Sequence, residues 1–411
     1  MPLTRRQVYR RRRILVFGSV FALLAGIAYL PLTLFAPVED IEATVATPTV
    51  AAGAPAQLTM PAGAASAITA VGEEGVLAQS GSTDPLPMAS ITKIVTALTV
   101  LDAHPLAAGE AGPAVTMSAA DVALYRKYDS LGASVAPVKA GVVYTERELL
   151  EIMLIDSAGN YAVTIGNWAF GSEEALVTAM RAWLDANGFP GVSVVEPTGR
   201  DAANTASAAD LLRLGELALA DPTLSAIVAI PSIEIHDVGV VENSNKLLGE
   251  NGVDGIKTGT LNTFGANLLF SLDLAVGSES IPLVGVVLGA ATHAELNGAV
   301  RTLITQVQAG YHEVPLIAEG DRIGEYTTPW DTTTSAVAAE SASIVVWGDT
   351  PITATADVDP IRLADKGSTA GSITFTAGPR TVAVPLVLSA AVDDPGPWWR
   401  LGHPDIIFGL D

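Results

Sequence analysis

The sequence predicts an α+β protein that carries an apolar helix near its N-terminus and a small all-β domain at its other end. Three observations lead there. Short Val/Ile/Ala-rich runs come first and are followed by a long stretch of helix-start signals. A second group of strand-like runs then precedes one more amphipathic helix. Beyond about Val314 the pattern turns to Val/Thr/Ile alternation broken by turn residues. Strands on both sides of a helical insert imply one antiparallel sheet assembled from both ends of the segment and flanked by helices.

The elements follow in chain order. Residues 1–13 hold six arginines and no acid, and Ile14 to Ala36 is almost unbroken apolar sequence. About 23 helical residues reach roughly 34 Å, enough to cross a bilayer core. Arginines crowd one flank while Glu39, Asp40 and Glu42 follow the other. The positive-inside rule therefore predicts a cytoplasmic basic tail (1–13), a single transmembrane helix (14–36) and an extracytoplasmic remainder. A cleaved signal peptide is the competing reading. The apolar run is long for one, and no convincing Ala-x-Ala site follows it. Residues 37–61, rich in Ala, Thr, Pro and Gly, read as a flexible linker. Residues 65–71 and 76–80 read as two strands around a turn at Gly72–Gly75.

The run from Ala89 to Pro105 is an apolar-periodic helix ended by its proline. Thr145 and Glu148 form a capping box that opens a second helix, and Ser207 with Asp210 signals another. Residues 100–225 are thus expected to be mainly helical. GIKTGT, ANLLFSLDLAV and IPLVGVVLGAA then read as successive strands, followed by a helix from about Thr292 to Gly310. The predicted domains are 62–312 and a β-rich domain over 313–411. The latter carries no titratable cluster, and its Trp398-Trp399 pair reads as packing or an interface.

Composition excludes several function classes. The formal charge is −22 despite the arginine-rich start, and so acidic a surface repels nucleic-acid phosphates. With no cysteine there is no disulfide framework, redox CxxC or thiolate zinc site. Five scattered histidines make no HxxxH or HxH pair, so neither a metal nor a cofactor is expected. No G-x-S-x-G elbow points to a Ser-His-Asp hydrolase.

Three short patterns carry the chemistry. Among six lysines, Lys93 alone follows a serine by three residues, in Ser90-Ile91-Thr92-Lys93. Positions i and i+3 at a helix start share a face, so the amine can reach the hydroxyl. Burial that lowers its pKa would let it act as a base. Taken alone, the tetrapeptide is better explained by an N-cap serine followed by a solvated lysine. Lys257-Thr258-Gly259 on a strand sets a cation beside a hydroxyl, with a glycine that admits a substrate backbone; an ordinary edge strand is the alternative. Ser157, in MLIDSAGNYAV, follows a helix end and could bring a second hydroxyl into a cleft.

The order Ser-x-x-Lys, Ser-x-Asn-like loop, Lys-Thr-Gly resembles the penicillin-binding proteins and serine β-lactamases. PMASITKIVTAL, ELLEIMLIDSAGNYAV, EPTGRDAANTASAADLLRLG, NSNKLLG and GVDGIKTGT resemble more narrowly the low-molecular-mass D-alanyl-D-alanine carboxypeptidases, over about residues 60–310. The resemblance implies the β-lactamase/DD-peptidase-like transpeptidase fold and a peptidoglycan stem peptide ending in D-Ala-D-Ala as substrate, with β-lactams as inhibitors. It implies Ser90 as nucleophile, Lys93 as base and Ser157 as proton relay. Lys257, Thr258 and Gly259 would bind the terminal carboxylate, and the N–H groups of Ser90 and Thr260 would form the oxyanion hole. The expected Ser-x-Asn reads Ser157-Ala158-Gly159, with Asn160 one position late. Either Asn160 fills the substrate-binding role through a shifted loop, or the amide is missing, leaving an impaired, wall-binding protein. A β-lactamase is disfavoured by the lack of Ser-Asp-Asn and of a glutamate that activates the deacylating water.

Overall fold

A computed structural model describes residues 5–73, 75–277 and 279–410. The chain divides into two compact units. One is Pro55–His312; the other joins the segment up to Ala54 to the segment from Glu313 onward.

In the first unit a five-stranded antiparallel sheet runs in the order Val253–Leu261, Gly265–Val276, Glu279–Ala290, Ala65–Ala70 and Ala78–Gly81. The two strands read early in the chain therefore join the three read late, as a sheet assembled from both ends requires. Glu74, in the turn expected between the early strands, lies outside the described residues. The helical insert between the two sets holds Thr92–Ala103, Ala119–Ser130, Glu146–Ile155, Gly159–Phe170, Glu173–Ala186, Ala208–Ala220 and Pro222–Val228.

The local signals explain these boundaries. Thr145 and Glu148 make the reciprocal capping box, and Ser207 accepts from the Asp210 N–H. Thr292 caps His293–Gly310 in the same way. Burial is most complete on Thr92–Ala103, where Ile94, Val95 and Val100 are fully enclosed. It packs within one core containing Tyr144, Leu150, Tyr161, Leu211 and Leu269. The strand Val253–Leu261 lies at the sheet's edge, so its outer backbone groups are not spent on a neighbouring strand.

In the second unit, six strands form an antiparallel sheet in the order Ala43–Val45, Arg322–Thr327, Thr333–Ala338, Arg380–Leu388, Thr369–Ala377 and Thr353–Val358. Ile323, Tyr326, Ile373, Phe375 and Leu386 form its core. The linker expected over 37–61 is corrected at its start. Val38 and Ile41 are buried, Ile41 bridges Ile361, and Ala43–Val45 pairs with Arg322–Thr327. Its Ala/Thr-rich composition hid an edge strand whose partner lies some 280 residues away in sequence.

The helix Arg5–Leu34 is long and apolar enough to cross a membrane by length and composition, and its apolar window is unburied. It begins within the arginine run rather than after it. The last strand of the β-rich domain is followed by two short helices, Pro397–Gly402 and Pro404–Ile407, the first of which holds the Trp398-Trp399 pair. There Arg400 is buried, pairs with Asp394 at 2.6 Å and donates to the Ala36 carbonyl at 2.7 Å. Trp399 meets Trp330 edge-on, while Trp398 is exposed.

Candidate active site

A cavity of about 490 Å³ in the first unit is lined by Ser90, Lys93, Ser157, Thr198, Arg200 and Thr260, with the segment Leu131–Ser134 as one wall. Four of the residues singled out in the sequence thus meet on one surface.

Ser90 lies in a 3₁₀ turn, Ala89–Ile91, that leads directly into Thr92–Ala103. One helical turn later Lys93 points back: its Nζ donates to Ser90 Oγ at 3.1 Å and to the Thr198 carbonyl at 2.6 Å. Lys93 as a whole is 2 % exposed. Burial pulls its pKa down to about 8, against the opposing charge of Glu196. Two non-glycine residues beside the cavity hold left-handed backbone, Ala89 at φ 50° and Ser157 at φ 61°. Each costs of order 1 kcal/mol, a strain that concentrates at functional sites. Ala89 sets the direction of Ser90, and Ser157 turns the chain between Glu146–Ile155 and Gly159–Phe170.

The strand Val253–Leu261 closes the other side. A Cβ on Gly259 would stand 2.9 Å from Ala89 Cβ and 3.1 Å from the Ser90 nitrogen. Only glycine there lets this strand lie against the serine turn. Lys257 is 2 % exposed, and its Nζ has no hydrogen-bond partner among the described residues. Burial lowers its pKa to about 7; nearby Lys93 adds to the effect and Asp156 opposes it. Thr258 Oγ1 is hydrogen-bonded to Ser244 Oγ. Thr260 Oγ1 lies 2.7 Å from His293 Nε2, and burial holds that imidazole below its usual pKa. Lys257, Thr258 and Gly259 belong to the strand behind the cavity wall rather than to its lining.

Asn160 lies elsewhere. It is 1 % exposed, its Oδ1 accepts from Ala136 N at 3.2 Å, and its Nδ2 donates to Ala136 O at 3.0 Å. One residue further along a helix turns a side chain by about 100°, which carries the amide from the cleft into the interior. The expectation that a shifted loop brings Asn160 to substrate is therefore corrected. Gly159 itself lines the cavity, and a Cβ there would meet Tyr128 Cδ1 at 3.3 Å, Ser134 O at 3.5 Å and Thr198 Cβ at 3.7 Å.

Sequence reasoning missed Glu196, Thr198, Ser244 and His293. Glu196 and Thr198 sit in EPTGR and Ser244 in NSNKLLG, blocks noticed only as resemblance. Thr198 meets Lys93 across 105 residues and His293 meets Thr260 across 33, so no local periodicity exposes them, and Glu196 acts within its own turn.

The sequence pattern of the peptidase family S11, D-alanyl-D-alanine carboxypeptidase, matches residues 51–292, and the chain belongs to that family. The D-alanyl-D-alanine endopeptidase of Pseudomonas aeruginosa is 32 % identical over 183 residues, 44 % of this chain and 55 % of that protein. The D-alanyl-D-alanine carboxypeptidase DacF of Bacillus subtilis is 25 % identical over 261 residues, 61 % of this chain and 63 % of that one. The matched region thus spans 55–63 % of the length of these relatives. The crystal structure of the peptidoglycan synthesis regulatory factor PBP3 of Streptococcus pneumoniae superposes with a TM-score of 0.59 at 21 % identity, covering 81 % of this chain and 100 % of that one. At that identity the likeness shows the fold, which is that of the penicillin-binding DD-peptidases.

Proposed function

We propose that this protein is a serine-type D-Ala-D-Ala carboxypeptidase that acts on peptidoglycan stem peptides through an acyl-enzyme on Ser90. The observation that carries the proposal is the buried Lys93 amine 3.1 Å from Ser90 Oγ, with its pKa drawn down to about 8. In its neutral form this amine accepts the Ser90 proton as Oγ attacks the carbonyl carbon between the two D-alanines. The N–H groups of Ser90 and Thr260 receive the developing oxyanion. Ser157 passes a proton to the departing D-alanine amine. Lys257 and Thr258 bind the terminal carboxylate, and Gly259 leaves room for the approaching chain. Water then releases the acyl group. β-Lactams acylate the same hydroxyl. The helix Arg5–Leu34 serves as a membrane anchor, with its arginines inside and the enzyme outside.

The test is release of free D-alanine from a D-Ala-D-Ala-terminated peptide, run beside labelling with a fluorescent penicillin. Both should occur and both should vanish in Ser90→Ala. A folded wild-type protein that does neither is a wall-binding scaffold instead. A cross-linked peptide as second substrate separates carboxypeptidase from the endopeptidase activity named for the Pseudomonas relative.

A further inference from the structure

We infer that Glu196 is a positioning residue for Lys93: its carboxylate folds the turn whose Thr198 carbonyl grips the amine across from Gly159, which has no side chain to do so. The inference rests on the role proposed for Lys93.

The geometry starts from what Lys93 touches. Its hydrogen-bond partners are Ser90 Oγ and the Thr198 carbonyl, at 2.6 Å the shorter of the two. Gly159 offers no side chain, and Asn160 is committed to Ala136. Orientation of the amine therefore falls to one backbone carbonyl in an irregular segment. Such a carbonyl is only as well placed as the turn that carries it.

Glu196 builds that turn. Its Oε2 accepts from the Thr198 N–H at 2.8 Å and the Thr198 hydroxyl at 2.6 Å. Its Oε1 accepts from the N–H of Gly199 at 2.7 Å and of Asp201 at 3.3 Å, and from Asn204 Nδ2 at 2.9 Å. Both oxygens face donors only, so a carboxylate fits and a carboxamide does not. The turn is also tied to the nucleophile. Asn204 Nδ2 reaches Thr92 Oγ1 at 3.3 Å, Thr92 donates to the Ala89 carbonyl at 2.8 Å, and Gly199 packs on that same carbonyl, where a Cβ would be 1.8 Å away. One carboxylate thus sets the amine's acceptor and braces the serine turn.

Glu196 is also the anion that opposes the burial of Lys93. The other ionisable groups around the pair are Lys257 on its strand, Asp156 after Glu146–Ile155, Tyr128 on Ala119–Ser130, Arg200 on the turn itself and His293. All of them are retained in a Glu196 variant; of these, Tyr128 also feels the Glu196 charge, and losing that charge eases its ionisation.

The experiment measures the second-order rate of penicillin acylation of the full-length protein in detergent between pH 5.5 and 10. Glu196→Gln places a donor among donors and removes the charge. Acylation should fall by about 100-fold, as for a misplaced catalytic group, and its ascending limb should move to lower pH. The sign follows because losing an anion and an acceptor both disfavour the ammonium form. Glu196→Asp keeps the charge with a shorter reach, so its rate should fall while the limb stays at the wild-type pH; this arm remains available if the Gln variant does not fold. A purely structural role would open the site to water and move the limb of Glu196→Gln upward, toward an ordinary lysine, and that result overturns the inference. So does a Gln variant with wild-type rate and limb. If wild type itself is not acylated at Ser90, the proposed function fails first and the inference with it.

Discussion

Lys93 and Lys257 make the instructive comparison in this molecule. Both residues are 2 % exposed, in both burial is the largest force lowering the pKa, and they stand close enough for Lys93 to depress Lys257 further. Their surroundings differ in one respect. Lys93 has a hydroxyl and a carbonyl within hydrogen-bond distance, whereas Lys257 has no hydrogen-bond partner among the described residues. An amine held by acceptors has a defined direction, as a base aimed at one hydroxyl needs. An unpaired buried cation is costly, and an arriving carboxylate would relieve that cost. The two roles proposed above, proton transfer for one lysine and anion capture for the other, rest on that difference: the neighbours decide, not the side chain.

Lys93→Ala should lower acylation of Ser90 by about 10⁴-fold or more, since removing one member of a nucleophile–base pair disables the pair. Labelling at the wild-type rate would remove Lys93 from the base role. Lys257→Ala should cost about 100-fold with a peptide ending in a free carboxylate and much less with its C-terminal amide. Equal losses on the two substrates would deny it the carboxylate.

The pH profile is the next test. Acylation needs Lys93 neutral and carboxylate binding needs Lys257 charged. With the amines titrating near 8 and 7, kcat/KM should be bell-shaped around pH 7–8. A profile flat from pH 6 to 10 contradicts both assignments. The same shifts bear on stability. Both folded pKa values lie below the unfolded value of 10.5, so the unfolded chain holds more protons between about pH 7 and 10.5. Stability contributed by these groups therefore rises with pH across that window, and Lys257→Met should stabilise the protein at neutral pH by about 2 kcal/mol. Chemical denaturation at pH 7 and pH 9.5 should show the gain shrinking at the higher pH. The smallest catalytic effect is expected for Asn160→Ala. It frees the Ala136 backbone and should cost about 1–3 kcal/mol of stability, with acylation within a few-fold of wild type.

Much of the architecture was legible because it is written in local order. The Thr145/Glu148 capping box, the Ser207 cap and the proline after Ala103 each mark a boundary within a few residues of themselves. Ser90 and Lys93 were legible for the same reason: three residues on a helical turn fix a separation. Asn160 shows the limit. In sequence it stands one place from an expected position, and one place on a helix is a different face. Ala43–Val45 shows another, since its pairing partner lies at the far end of the chain.

The chain's own order of residues was enough to establish an acidic α+β chain with an apolar N-terminal helix, a serine with its lysine one turn on, and a Lys-Thr-Gly strand. Folding alone settled the Thr198 carbonyl that meets Lys93, the lack of a hydrogen-bond partner for the Lys257 amine among the described residues, and the inward turn of Asn160. The reason is physical. Helical spacing is set by the backbone, but burial and hydrogen-bond partners come from segments a hundred residues apart that meet only when the core closes.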